Sequence, residues 1–212
     1  MQITVFGASG KTGSQVVQQA LDRGYQVVAY VREAAKLTLT DSNLKVIEGQ
    51  LDDLNMVKQA VSGSQAVVSA LGPTGRPESD QQISLGIANI LTALKEFGIK
   101  RFVALSTTSA QDALDIDSTK FKLRRTMIRK GSPSSYESII KYTDLVRQSD
   151  CDWTLLRIAS LLTDKPLNKS VHVGYLGKDK LQAKLSRANL AWYMLEQLDS
   201  TEFVCQAPAI SD

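Results

Sequence analysis

The stretch Ile3-Thr-Val-Phe-Gly-Ala-Ser-Gly-Lys-Thr-Gly13 decides how this chain is read. An apolar, β-prone run ends in Gly7, Gly10 and Gly13, and a helical pattern of Val16, Val17, Ala20 and Leu21 follows at once. Glycine triplets alone are common. Strand, glycine turn and helix in that order are the setting of a dinucleotide site. Gly7 can make the tight turn, Gly10 can let the backbone approach a pyrophosphate, and Gly13 can let the helix pack close to the strand. The helix start then offers N–H groups and a positive dipole end to phosphate. Ser9, Lys11 and Thr12 share this turn and are candidate cofactor contacts beside the glycines.

Outward from the turn, apolar strands alternate with helical patterns. The pattern predicts strands at 2–6, 26–31, 44–48, 65–71, 101–106 and 152–157, with helices near 12–23, 53–61, 79–97 and 136–149. Such alternation means βαβ units and a parallel sheet covered on both faces. Gly24 and Gly98 stand where helices should end, and Asp52 or Asp53 can cap the helix after the third strand. Beyond residue 157 the pattern weakens to a loop, a short strand near 171–176, a helix near 186–198 and a last strand near 202–206. The expectation is an α/β, Rossmann-type, doubly wound parallel sheet. It forms a single domain over 1–212, with a small substrate-side portion from about 158 to 212.

Composition narrows the class. Hydrophobic residues make 43% and charged residues 22% of the 212, which fits a globular domain rather than a disordered or membrane chain. No apolar run approaches the ~18 residues a membrane span needs. The chain enters a strand with no basic, apolar leader, and Cys151 and Cys205 make no disulfide framework, so a cytoplasmic protein with free thiols is expected. One histidine, His172, and no Cys-x-x-Cys predict no structural metal. A net charge of +3 gives no argument for nucleic acid.

Residues 109–135 break the alternation. So long a connection in a compact domain is usually functional or mobile. It carries Lys120, Lys122, Arg124, Arg125, Arg129 and Lys130 with no acid between them. Ser118 can cap a helix whose Phe121, Arg125 and Ile128 share a face. That is the pattern of a solvated amphipathic helix, and equally of a lid or a docking surface for an anionic ligand.

The second strand ends in Tyr30-Val31-Arg32-Glu33, with Lys36 one helical turn on. Sites for NAD place an acid here for the ribose 2′-hydroxyl. A guanidinium suits the 2′-phosphate of NADP. Arg32 and Lys36 favour NADP(H), and Glu33 argues the other way. Gln50 and Leu51 follow the third strand, where an adenine would rest. Leu51 also reads as ordinary core.

These features together resemble the atypical, NAD(P)-binding short-chain dehydrogenases/reductases of the NmrA-like group, in particular their flavin-reductase (biliverdin IX-beta reductase) branch. The likeness spans nearly the whole chain. It rests on Gly7-Ala-Ser-Gly-Lys-Thr-Gly13, Val31-Arg32, Gly49 with Asp52-Asp53, Ala70-Leu71-Gly72, Ser106-Thr107, Asp152-Trp-Thr-Leu-Leu-Arg157 and Asp164-Lys-Pro-Leu167. The resemblance implies pyrophosphate at the first glycine turn, the 2′-phosphate at Arg32 with Lys36 in support, Leu71 and Gly72 beside the cofactor, and Ser106-Thr107 facing the nicotinamide. Gln50 stands where many relatives carry Asp, and Ile158 where many carry Pro.

One absence separates reaction types. Carbonyl reduction uses Tyr-x-x-x-Lys on one helical face. Tyr136 and Lys141 are five apart, so they sit ~140° apart around a helix, and Tyr142 is followed at four by Val146. Hydride transfer to a flavin, quinone or tetrapyrrole asks less, because the acceptor is itself the electron sink. Thr107 or solvent can handle the proton. Ser106 and Thr107 read equally as hydroxyls satisfying local backbone. The expected activity is an NADPH-dependent reductase of a planar redox acceptor, anionic or neutral, acting as a monomer or homodimer. The rival is an NADP-sensing regulator without turnover; a nucleotide-sugar epimerase ranks last.

Overall fold

The computed structural model describes residues 1–159 and 161–212. Strands β1 (Gln2–Phe6), β2 (Gln26–Val31), β3 (Leu44–Glu48), β4 (Ala66–Ser69), β5 (Arg101–Thr107) and β6 (Asp152–Ile158) alternate with α1 (Lys11–Asp22), α2 (Leu54–Val61) and α3 (Pro77–Phe97), and the pair α4 (Thr119–Gly131) and α5 (Pro133–Arg147) precedes β6. The remainder supplies β7 (Leu161–Thr163), β8 (His172–Gly174), β9 (Lys184–Ser186), α6 (Arg187–Glu196) and β10 (Ala209–Ser211). Eight strands form one sheet in the order β3-β2-β1-β4-β5-β6-β10-β8, parallel except for β8; β7 and β9 make a separate parallel pair. The sheet is doubly wound. On one face Val57, Ile87, Ile90 and Tyr142 bring α2, α3 and α5 onto it. On the other, Val16, Val17, Leu190 and Met194 bring α1 and α6.

The glycine turn shows why its residues are glycine. Gly7 has φ +73°, a left-handed backbone that side chains resist. A Cβ at Gly13 would stand 2.0 Å from the Gly7 carbonyl oxygen, so α1 lies against the end of β1 only because Gly13 has none.

Two expectations are corrected. Residues 202–206 do not form the last strand. Their apolar β-prone composition is overridden by a turn in which Cys205 adopts φ +56°, and only Gln206 makes a single bridge, to Thr154. The last strand is Ala209–Ser211, where Ala209 and Ile210 are fully buried beside β6. The short β7–β9 pair has no signal in composition. By contrast, α4 begins as expected: Ser118 accepts from the Phe121 N–H at 3.4 Å, and Phe121, Arg125 and Ile128 are its partly buried face. Asp53 caps α2, accepting from the N–H groups of Asn55 and Met56. No helix among the described residues is long and apolar enough to cross a membrane.

The 109–117 loop is pinned by a buried ion pair. Arg157, in β6, is fully buried and makes a two-pronged pair with Asp115 at 2.6 and 2.8 Å. The guanidinium also donates to the carbonyls of Ala110 and Ala207, and Asp115 accepts from the N–H groups of Asp112 and Leu176. Burial opposes the charge on Asp115, but the Arg157 and backbone hydrogen bonds outweigh it and hold the carboxyl below its usual range.

Asp115→Asn should therefore leave a buried guanidinium without its counter-charge and cost roughly 3–5 kcal/mol, read by urea unfolding at neutral pH. A lowered folded pKa adds stability above the unfolded value, about 3.9, and loses it as pH falls through the folded value. Wild-type stability should accordingly drop below about pH 4, and the variant should lack this component.

Candidate functional site

The sheet order reverses direction between β1 and β4, and the crevice outside such a switch point is where open α/β sheets bind ligands. A pocket of about 280 Å³ lies there. Gly7, Ser9 and Gly10 come to it from the first turn, Tyr30, Arg32 and Lys36 from the end of β2, and Leu51 from the loop after β3. Leu71, Gly72 and Thr74 come from the loop after β4, and Ser79, Gln82 and Ile83 from the start of α3.

The floor suits phosphate. Gly10 caps α1 with no side-chain hydrogen bond, and the first turn carries no acid. A Cβ on Gly10 would have the Gly7 carbonyl oxygen at 3.2 Å as its one neighbour within 4 Å, so the missing side chain leaves the helix start open to the pocket. Uncapped N–H groups with the dipole behind them attract anions.

The β2 side carries the charge. Lys36 donates to Glu33 at 2.7 Å, and this contact with the neighbouring charges of Lys36 and Arg32 lowers the Glu33 pKa. Among the described residues, no hydrogen bond or ion pair holds the Arg32 guanidinium, so it is free for an incoming anion.

The apolar wall is built by mutual constraint. The Tyr30 hydroxyl donates to the Gln50 carbonyl at 2.7 Å. Burial, with Asp53 and Asp52 nearby, pushes that phenol up to about 12, so it stays neutral. A Cβ on Gly86 of α3 would meet Leu51 Cβ at 2.8 Å, and Asn89 donates to the Leu51 carbonyl. Leu51 is thereby locked with its face on the pocket.

The remaining expected contacts are placed differently. Thr12 and Gly13 are buried in the first turn of α1 and do not line the pocket. The Lys11 ammonium points instead toward Asp164, 3.9 Å away, beside Arg187. Gln50 is exposed and offers its carbonyl to Tyr30 rather than its amide to the pocket. Ser106 is corrected as a catalytic candidate: its hydroxyl is buried against Thr143 at 2.9 Å and ties β5 to α5. Thr107 is half-buried at the end of β5, and its oxygen accepts from the Ser109 N–H. Neither hydroxyl lines the pocket. Tyr30, Thr74, Ser79, Gln82 and Ile83 were missed. Pro77 at the first position of α3 was the available sign that this helix starts early enough to bring Ser79 to the crevice.

The residues present fit a dinucleotide: an open glycine turn, an apolar wall and a free guanidinium surround one crevice. Comparison with known proteins agrees. A family model described as NAD(P)H-binding matches residues 7–201. The photosystem II assembly factor Ycf39 of Cyanophora paradoxa is 30% identical over 140 residues, covering 64% of this chain and 43% of that protein. The chain thus spans less than half the length of the Ycf39 proteins it matches. Among solved structures, the anaerobillin reductase ChuY from Escherichia coli O157:H7 superposes with a TM-score of 0.79 at 18% identity, covering 100% of this chain and 97% of that one. A short-chain dehydrogenase/reductase from Veillonella parvula DSM 2008, solved with NADP, gives 0.74 at 18% identity, covering 100% and 94%. At such identities the likeness is one of fold. With its site geometry and a family match over nearly its full length, the chain belongs to the NAD(P)H-binding family and has the fold of NAD(P)-binding oxidoreductases.

Proposed function

We propose that this protein is an NADPH-dependent reductase that delivers hydride to a planar redox acceptor, a flavin, quinone or tetrapyrrole. The observation that carries the reading is the crevice in which an uncapped glycine turn and the unpaired Arg32 face one space. In this reading the pyrophosphate rests on Gly7, Ser9, Gly10 and the N–H groups of Lys11, Thr12 and Gly13. Arg32 takes the 2′-phosphate, with Lys36 released to it from Glu33. Leu51 and Ile83 flank the adenine, and Leu71 and Gly72 run beside the rest. Bound there, the nicotinamide supplies the hydride.

The chain's own groups favour an acceptor that needs little proton chemistry. Tyr142 is fully buried on α5, and burial pushes its phenol above its usual range although Ser106 bonds it. With Val146 one turn on, no Tyr–Lys relay serves a carbonyl. Thr107 already accepts at its oxygen, which leaves its O–H free to donate to a reduced acceptor. The basic helix α4 follows the loop that leaves β5 at this end of the sheet. Lys120, Arg129 and Lys130 have no ion-pair partner among the described residues. Their charge would draw in an anionic acceptor. The buried Tyr142 and the tied Ser106 equally suit the second reading, an NADP sensor without turnover. NADPH oxidation followed at 340 nm against FMN, FAD, quinones and biliverdin separates the two: tight NADPH binding with no turnover of any acceptor selects the sensor.

Arg32→Ala should weaken NADPH by roughly ten- to a hundred-fold, the cost of a charged hydrogen bond, and leave NADH nearly unchanged. Equal loss for both nucleotides, measured by nicotinamide fluorescence, would remove Arg32 from the 2′-phosphate. Gly10→Val should abolish binding of both nucleotides, because its branched side chain fills the space over the turn. Circular dichroism should show the fold intact. Changing Lys120, Arg129 and Lys130 to Gln should raise KM for an anionic acceptor at low ionic strength and not for a neutral quinone. Arg124 and Arg125 are left alone in that test, since they bond the Ala159 carbonyl and Asp117.

A further inference from the structure

Asp80 is a fully buried carboxylate that the proposed chemistry does not use. Among the described residues no cation pairs with it. A buried charge of this kind is costly unless every lone pair is met. Here Oδ1 accepts from the Thr74 N–H at 2.7 Å, and Oδ2 accepts from the Ser135 hydroxyl at 2.7 Å and the Ser134 hydroxyl at 3.3 Å. The Asp80 carbonyl accepts from Ser138 at 2.6 Å. Asp80 sits in the first turn of α3, and Ser134 and Ser135 in the first turn of α5. The carboxylate therefore lies between the positive ends of two helices, which stabilise it without a counter-ion.

Each partner belongs to a functional surface. Thr74 lines the cofactor pocket, as do Ser79, Gln82 and Ile83 in the same turns of α3. Ser134 and Ser135 open α5 directly behind Ser132, the residue that ends the basic helix α4. All five residues from Gly72 to Arg76 lie outside any helix or strand. Among the described residues they are tied by this anchor, by the Asp80 N–H to the Arg76 carbonyl, and by short contacts of their own such as Arg76 N–H to the Thr74 hydroxyl. We propose that Asp80 is a positioning residue. It clamps the 72–76 loop, one wall of the cofactor pocket, to the start of α5, so that the cofactor side and the acceptor side are held in one register. This rests on the cofactor reading above.

The test uses the full chain and three variants. Asp80→Ala removes every side-chain acceptor. Asp80→Asn keeps an oxygen for the Thr74 N–H, and its amide can donate to Ser135, whose hydroxyl also accepts. Ile90→Ala, in the core of α3 away from the pocket, controls for lost stability alone. The readouts are NADPH affinity, amide hydrogen exchange over 72–76 without nucleotide, and Tm. Asp80→Ala should weaken NADPH roughly tenfold and speed exchange at Thr74. Asp80→Asn should stay within about twofold of wild type, and Ile90→Ala should lower Tm without changing affinity. The proposal falls if Asp80→Ala leaves affinity and exchange unchanged, if Asn loses as much as Ala, or if Ile90→Ala weakens NADPH equally. Should Asp80→Ala not fold, the Ser134→Ala, Ser135→Ala double variant cuts only the α5 side; unchanged affinity and exchange there overturn the clamp. If wild type binds no NADPH, the cofactor reading fails, and exchange at Thr74 alone decides whether Asp80 holds the loop.

Discussion

The contact on which the site depends is a backbone approach with no room for an atom between. Gly13 of α1 lies so near the Gly7 carbonyl that a Cβ would stand 2.0 Å from it. That closeness sets the angle at which α1 leaves β1 and brings the open helix start to the β1/β4 switch point. From there the other walls follow. β2, paired with β1 along its length, must deliver Arg32 to the same end of the sheet, and β4 must deliver Leu71 and Gly72. One helix placed by one absent methyl thus converts a sheet order into a crevice suited to a phosphate.

Two buried carboxylates organise what surrounds that crevice, and the chain satisfies them by different physics. Asp115 is met by a guanidinium, Arg157, which reaches it from β6 and gathers the 109–117 loop and the chain near Leu176 around it. Asp80 is met by hydroxyls, an N–H and two helix ends. The first is an ion pair whose strength depends on both partners staying charged and enclosed. The second gathers dipoles, and through them couples a loop to two helices. Each ties a connection that leaves the carboxyl end of a strand, β5 for Asp115 and β4 for Asp80, to a neighbouring element.

The α4 segment shows how one sequence pattern serves two ends. Its partly buried face of Phe121, Arg125 and Ile128 is what an amphipathic helix needs to dock. Phe121 packs against Ala159, Leu176 and Ala209, and Arg125 pairs with Asp117. The opposite face leaves Leu123 61% and Met127 66% exposed among lysines and arginines. The helix is thus anchored along one face and left basic and apolar along the other, neither fully solvated nor fully packed.

The sequence by itself determined the alternating α/β order, the glycine turn, the cap at Ser118, the α2 cap to within Asp52 or Asp53, and the basic end of β2. Each of these is written in neighbouring residues: period, glycine position, a capping side chain a few residues from the N–H it meets. It also determined the missing Tyr–Lys relay, because helical spacing is local. Only the tertiary structure decided that Ser106 is spent on Thr143, that Lys11 turns to Asp164, and that 202–206 turns where its composition favours a strand. It alone placed Ser79 and Gln82 in the crevice and Asp80 between two helix ends. Those outcomes depend on partners far away in the chain, from 37 positions for Ser106 and Thr143 to 153 for Lys11 and Asp164, or on which face of the sheet a side chain meets, and nothing in the local pattern of residues encodes such a meeting.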